Sequence, residues 1–159
     1  MTTSARSREE TIANNIALVE EHFHNETPET VDKAVALYTD DIVWEGPARG
    51  LVYRDAADVK EMYLGIYRTL KMHSHTQLHR FATEEWVFDD CIFVGTLVGD
   101  EMENVPFPVG TKISMRLVHA FQIRDGKICR ENAYEIWRKA GDVTVNDDIP
   151  EGAATTYYD

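Results

Sequence analysis

Positive charge is scarce in this sequence: 16 Lys and Arg stand against 28 Asp and Glu, a formal net charge of −12. Nucleic acids and anionic membranes are gripped by basic side chains, so neither is an expected partner. Long apolar runs are missing too. None approaches the roughly 20 residues that cross a bilayer, and the polar N-terminus does not read as a signal peptide, so the expected compartment is the cytoplasm. Cysteine is limited to Cys91 and Cys129, both in expected strands and without metal-ligand spacing; buried free thiols are the expectation. There is no Gly-x-Ser-x-Gly, no phosphate-binding glycine loop and no zinc motif. An enzyme with these absences is left with proton transfer, using no cofactor, no metal and no covalent intermediate.

What is present is an ordinary core. A 43% hydrophobic fraction over 159 residues suits one domain, placed at residues 9–140, with a flexible N-terminus at 1–8 and an acidic tail at 141–159. Ser7 to Glu10 is a capping box that starts a helix running to about His24, with Ile12, Ile16, Val19 and Phe23 as its buried stripe. Thr27-Pro28 reads as a second helix start, and Asp55 as the cap of a third that carries Val59, Met62, Tyr63, Ile66 and Leu70. A short strand at Ile42 to Glu45 separates the last two. Beyond the third helix nearly everything reads as strand, with a bend expected near Glu84-Glu85 and a turn at Asp89-Asp90. From Gly141 onward periodicity is lost, and a mobile tail or an arm on a neighbouring subunit is expected.

The most informative stretch runs from Thr111 to Trp137. Ile113, Met115, Leu117, His119, Phe121 and Ile123 alternate with polar or small residues, as in a half-buried antiparallel strand. Arg124-Asp125-Gly126 turns the chain back. His119 is the only polar residue on the apolar face, either a satisfied core histidine or a group placed to titrate in a pocket. Two registers are open. A two-residue Asp-Gly loop puts Asn132 opposite His119; a three-residue loop puts Glu131 there and turns Ala133 and Glu135 to the same face. Three helices followed by a bent antiparallel sheet make an α+β plan, and a sheet curved over its helices leaves a pocket at the open end of a cone.

This order of elements, with Tyr-Thr-Asp-Asp-Ile-Val-Trp-Glu-Gly-Pro at Tyr38 to Pro47 and Phe-Gln-Ile-Arg-Asp-Gly-Lys-Ile at Phe121 to Ile128, resembles the nuclear transport factor 2-like superfamily. Within it the chain is most similar to the SnoaL-like polyketide cyclase and ketosteroid isomerase branch, over roughly residues 9 to 138. The resemblance implies a cone-shaped α+β barrel, with three N-terminal helices in the concave face of a strongly curved, mostly antiparallel sheet. It also implies a homodimer, formed through the sheet's outer face around Arg116, Val118, Ala120 and Gln122.

Residue by residue the match is partial. The aspartate that is general base in ketosteroid isomerases aligns with Gly46, and the acid of limonene epoxide hydrolases on the last strand aligns with Ala133. The oxyanion-stabilising aspartic acid of ketosteroid isomerases, on the strand before the last turn, aligns with His119. Pocket-facing positions of the final strand align with Glu131, Ala133 and Glu135, which favours the register that faces Glu131 to His119. A related dehydrochlorinase has a strand histidine that resembles His79, and an acid near the end of its first helix, where this chain has His24-Asn25-Glu26.

The expected acid/base group is therefore His119, oriented or charged by Glu131, with His79 or Glu135 as a second polar partner. Trp44, His24, Tyr63, Met115, Leu117, Phe121 and Ala133 are expected pocket walls. His73, His75 and His79 share a strand face, but His75 and His79 would stand about 13 Å apart, too far to share a metal ion. The function expected is a cofactor-independent lyase, isomerase or cyclase acting on a small, largely apolar molecule. The alternative is a non-catalytic ligand-binding or dimerisation module on the same fold.

Overall fold

Ser7 opens the first helix as its sequence requires. Its hydroxyl accepts from the Glu10 amide at 3.2 Å, and the Glu10 carboxylate accepts from the Ser7 amide at 2.8 Å, satisfying two donors that a helix start leaves free. In the computed structural model, which describes residues 6–158, this helix α1 spans Arg8–His24. Most of the stretch expected to be a flexible N-terminus, residues 1–5, lies outside the described residues. The fully buried positions of α1 are Asn15, Val19 and His22, while Ile12, Ile16 and Phe23 are half-buried at their flanks. Helix α2, Val31–Val35, begins later than the Thr27-Pro28 signal because Pro28–Thr30 form a turn, held by a 2.7 Å bond between the Thr27 and Thr30 hydroxyls. Helix α3, Ala56–Thr69, starts as expected, with the Asp55 carboxylate accepting from the Ala57 amide at 2.7 Å.

The strands are β1 Tyr38–Gly46, β2 Leu51–Tyr53, β3 Leu70–Ala82, β4 Trp86–Leu97, β5 Lys112–Arg124, β6 Lys127–Ile136 and β7 Thr155–Tyr157. They form one sheet in the order β2-β1-β6-β5-β4-β3-β7, antiparallel except where β1 runs parallel to β6. The three helices pack on one face of this curved sheet, giving an α+β cone. Its main core joins Val19, Val31, Ile42, Val59, Phe121 and Ile128; a smaller one joins Phe93, Leu97, Ile113 and Met115 towards the other end. Among the described residues no helix is long and apolar enough to cross a membrane.

Two sequence expectations fail for the same reason. Asp89-Asp90 is not a turn: the β3–β4 turn is at Thr83 to Glu85, and both aspartates are buried inside β4. Asp89 points to the inner face and accepts from Arg80 Nε at 2.8 Å and Gln77 Nε2 at 2.5 Å. Asp90 points outward, forked by Arg116 at 2.6 Å twice. Paired arginines thus hold in mid-strand a dipeptide that would otherwise seek water.

The tail is likewise tied down. Asp147 accepts from Arg116 and Arg138 at 3.1 and 3.0 Å, and β7 pairs with Ser74 to Thr76 at the edge of β3.

The hairpin takes neither expected register. Asp125 and Gly126 both have left-handed φ, 52° and 73°, the two-residue loop that Asp-Gly favours. A bulge then inserts one residue in β6 around Cys129, so that Phe121 pairs with Glu131 and His119 with Ala133. The bulge restores the parity of the strand, and Glu131, Ala133 and Glu135 share the face of His119.

Candidate active site

Two adjacent rows of side chains cross the inner face of the sheet. One runs Trp44, Glu131, Phe121, Val87; the next runs Ala133, His119, Asp89, Arg80. Glu131 is fully buried. Its carboxylate accepts from Tyr38 Oη at 2.5 Å and from Tyr63 Oη at 2.9 Å, and lies 3.2 Å from His22 Nε2. His22, also fully buried, comes down from α1 at helical spacing from Asn15 and Val19. Its Nδ1 stands 3.2 Å from the Ala34 carbonyl, an acceptor only, so Nδ1 carries a proton and Nε2 faces the carboxylates. Glu26, one turn beyond, closes the group at 3.0 Å from His22 Nε2 and 3.1 Å from Tyr63 Oη.

Burial alone would push the His22 imidazole down. The Glu131 carboxylate, with Glu26 behind it, more than reverses this and lifts it to about 10. Burial would raise the Glu131 carboxyl, but the His22 cation, His119 and the Tyr38 hydroxyl hold it below the usual carboxylate range. Burial and the Glu131 charge push both phenols well up, so Tyr38 and Tyr63 stay donors. At neutral pH the centre of the cone therefore holds an imidazolium and a carboxylate, both removed from water.

His119 stands beside this pair, its Nε2 4.0 Å from Glu131 Oε1 and beyond hydrogen-bond reach. The ring stacks on Phe121 at 5.5 Å and meets Phe23 edge-on at 5.2 Å. Its Nδ1 is buried and has no hydrogen-bond partner among the described residues. Asp89 is its neighbour across β4, already bonded by Arg80 and Gln77; the Arg80 guanidinium lies 5.4 Å over the Phe23 ring. His75 is on the same inner face, half-buried, its imidazole pushed down by burial.

Of the expected walls, Trp44, Tyr63, Met115, Phe121 and Ala133 are buried and Leu117 is half-buried. Trp44 explains Gly46: a Cβ there would come within 2.8 Å of the indole, which fills the space beside the strand end. Three expected residues stand apart. His24 is exposed, because it is His22 that faces inward from α1. His79 is exposed on the outer face, because a bulge between Gln77 and His79 reverses the parity of β3. Glu135 is on the inner face but engaged elsewhere. Arg49 forks it at 2.8 and 3.0 Å, the Trp137 indole donates to it at 2.8 Å, and Arg49 also donates to the Glu103 carbonyl at 3.0 Å.

Sequence reasoning gave no pocket role to His22, Tyr38, Asp89 or His75, and reached Glu26 only through the resemblance to the dehydrochlorinase acid. The signal for two of them was present, since Asn15, Val19, His22 and Glu26 recur at i, i+4, i+7 and i+11. The same His22, Glu26 and Glu131 place ligand-type atoms within 4.8 Å of one another, the set that could hold a cation; the spacings of 3.0 and 3.2 Å are equally those of a shared proton. A separate cleft of about 410 Å³, lined by Asn14, Leu18, Glu21, Ile123 and Asp125, lies by the hairpin turn and includes none of these groups.

The arrangement has the parts for proton transfer: an imidazole with a free ring nitrogen, a fixed charge beside it and aromatic walls. Comparison with known proteins bears on the scaffold. The chain is similar in structure to an NTF2-like protein from Burkholderia xenovorans, with a TM-score of 0.67, 15% identity, and coverage of 79% of this chain and 91% of that one. It is similar to an LEH-like epoxide hydrolase from M. tuberculosis, with a TM-score of 0.60, 14% identity and coverage of 79% and 84%. A third similar structure, with a TM-score of 0.56, 14% identity and coverage of 74% and 83%, is a protein of ketosteroid isomerase-like fold from Catenulispora acidiphila in complex with trimethylamine. At such identities these likenesses show the fold alone. Comparison with curated proteins finds no match. The model of the SnoaL-like domain matches residues 19–131, from the buried face of α1 to Glu131 itself. Well over half the sequence is matched, and the chain belongs to the SnoaL-like domain family.

Proposed function

We propose that the chain is an acid/base enzyme, a lyase, isomerase or cyclase, acting without a cofactor on a small, largely apolar substrate in the cone. The observation that carries this reading is the fully buried His22–Glu131 pair beside an imidazole with a free nitrogen. Desolvating two such ions costs several kcal/mol each, and well-packed apolar residues would often serve stability as well or better. Charge buried at this cost, next to a titratable group, is a mark of functional sites. His119 gives or takes the proton at Nδ1. Glu131 supports its imidazolium form, while His22, Tyr38 and Tyr63 keep Glu131 ionised and fixed. Phe23, Phe121 and Leu117 supply apolar wall. His79 and Glu135 have no part in this scheme. A cytoplasmic homodimer belongs to the same reading, paired through the part of the outer sheet face around Val118, Ala120 and Gln122 that the tail leaves open beside Arg116.

One feature favours the alternative of a non-catalytic ligand-binding module: His119 is tightly held between two phenylalanines. The two readings separate in D₂O. Wild type incubated with a panel of small enolisable ketones and β-hydroxy ketones, followed by NMR, should exchange or eliminate at least one. His119→Ala should lower that rate by about 10²–10⁴-fold with the fold intact. Saturable binding without turnover selects the binding module; turnover indifferent to His119→Ala removes His119 from the mechanism.

A further inference from the structure

The buried group has an outlet. Glu26 keeps 22% of its side-chain surface accessible, against 10% for His119 and none for His22 or Glu131. It follows directly on the C-cap of α1, Asn25, so its carboxylate folds back over the last turn to meet both His22 Nε2 and Tyr63 Oη. Tyr63 in turn donates to Glu131 Oε1, the oxygen nearest His119. Resting on the acid/base reading, we propose that Glu26 is the proton port of the site, a positioning residue through which His119 exchanges its proton with water between turnovers.

The transfer balances without any further reactant. A proton taken from water onto the Glu26 carboxylate passes to the Tyr63 oxygen while the Tyr63 hydroxyl gives its own proton to Glu131 Oε1. Tyr63 ends as it began, and one proton has moved from Glu26 to Glu131. The last step, across the 4.0 Å from Glu131 Oε1 to His119 Nε2, needs the imidazole to swing about 1 Å towards the carboxylate. His22 Nε2–H, shared between Glu26 and Glu131, offers a parallel route. A ported site suits reactions in which the proton taken from the substrate is exchanged with water before a proton is returned, so that solvent hydrogen enters the product. It suits less well an isomerisation that returns the same proton to the substrate.

The test needs no substrate, so it fails or succeeds apart from the turnover assay. In ¹⁵N-histidine-labelled protein, solvent exchange of the two His22 ring protons is followed by NMR. Nε2–H faces the port and Nδ1–H, bonded to Ala34, faces away, which makes one ring both probe and control. Glu26→Gln should slow Nε2–H exchange at least tenfold and leave Nδ1–H unchanged. Glu26→Asp should retain the fast exchange, and added acetate should restore it in Glu26→Ala. An unchanged Nε2–H rate in Glu26→Gln overturns the port. So does a parallel acceleration of both ring protons, which would mean that Glu26 merely holds the helix end.

Discussion

Replacing Glu131 by Gln keeps the shape of the side chain and removes its charge, leaving the buried imidazolium only the half-buried Glu26 carboxylate as counter-charge. His22 and Glu131 both have 0% of their side chains accessible, so no water can substitute. Removing one partner of a buried pair costs about 3–5 kcal/mol, a large share of an ordinary domain's stability of about 5–15 kcal/mol. The pH dependence makes the prediction specific. The His22 value is raised on folding from 6.5 to about 10. Its contribution is therefore complete below the unfolded value and is lost as pH rises through the folded one. The Glu131 value is lowered, so its contribution is present above the unfolded carboxylate value and is lost as pH falls through the folded one. Both shifts express one interaction and are not added. Wild type should thus lose stability with a slope of about 1.4 kcal/mol per pH unit from this group between roughly pH 7 and 9. Glu131→Gln, with the larger part of the His22 shift removed and only Glu26 left to raise it, should show a distinctly shallower slope. Urea denaturation of both proteins at pH 6, 7, 8 and 9 reads the difference between them, so titrations common to both cancel. Parallel pH profiles, or a destabilisation below about 1 kcal/mol at pH 7, would refute the ionised pair.

Arg49→Ala should cost about 3–5 kcal/mol in the same denaturation assay, because it strands the Glu135 carboxylate, 6% exposed, without its fork. Arg49→Lys should recover little, since a point charge cannot reproduce two parallel bonds. The proposed homodimer should bury at least about 1,200 Å² in total; sedimentation that finds only monomer at micromolar concentration would count against it.

The helix starts were legible because each is a local event. Ser7 with Glu10, and Asp55 two residues before Ala57, satisfy orphan amides within one turn, and no distant residue can change that arithmetic. The hairpin shows how far local reading reaches. Asp125-Gly126 does form its two-residue turn, but the bulge near Cys129 depends on how β6 packs between β1 and β5, which no dipeptide records. The face shared by His119, Glu131 and Glu135 could be expected from alternation, and the resemblance to the family pointed to it. The partner across the ladder, Ala133, could not. Asp89-Asp90 failed more completely. Two adjacent acids read as a turn, and the arginines that hold them in a strand sit 9 and 26 residues away.

The same distinction explains why the site was only half visible. His119 drew attention because it breaks an apolar row. His22 breaks a row as well, but a helix stripe tolerates a polar residue at its margin, and His22 became its centre only when Tyr38, Tyr63 and Glu131 arrived from three other elements. A buried charge is never a property of one segment: the imidazolium persists chiefly because a carboxylate 109 positions away in the sequence is fixed 3.2 Å from it, with Glu26 in support. That dependence runs both ways. Glu131 stays ionised because His22 is protonated, and burial together with the Glu131 charge raises the two phenols further. The four groups therefore titrate as a unit. The side chains that set the charge beside His119 are in this sense a single device spread over α1, β1, α3 and β6, and the pH slope of Glu131→Gln measures that device rather than one residue.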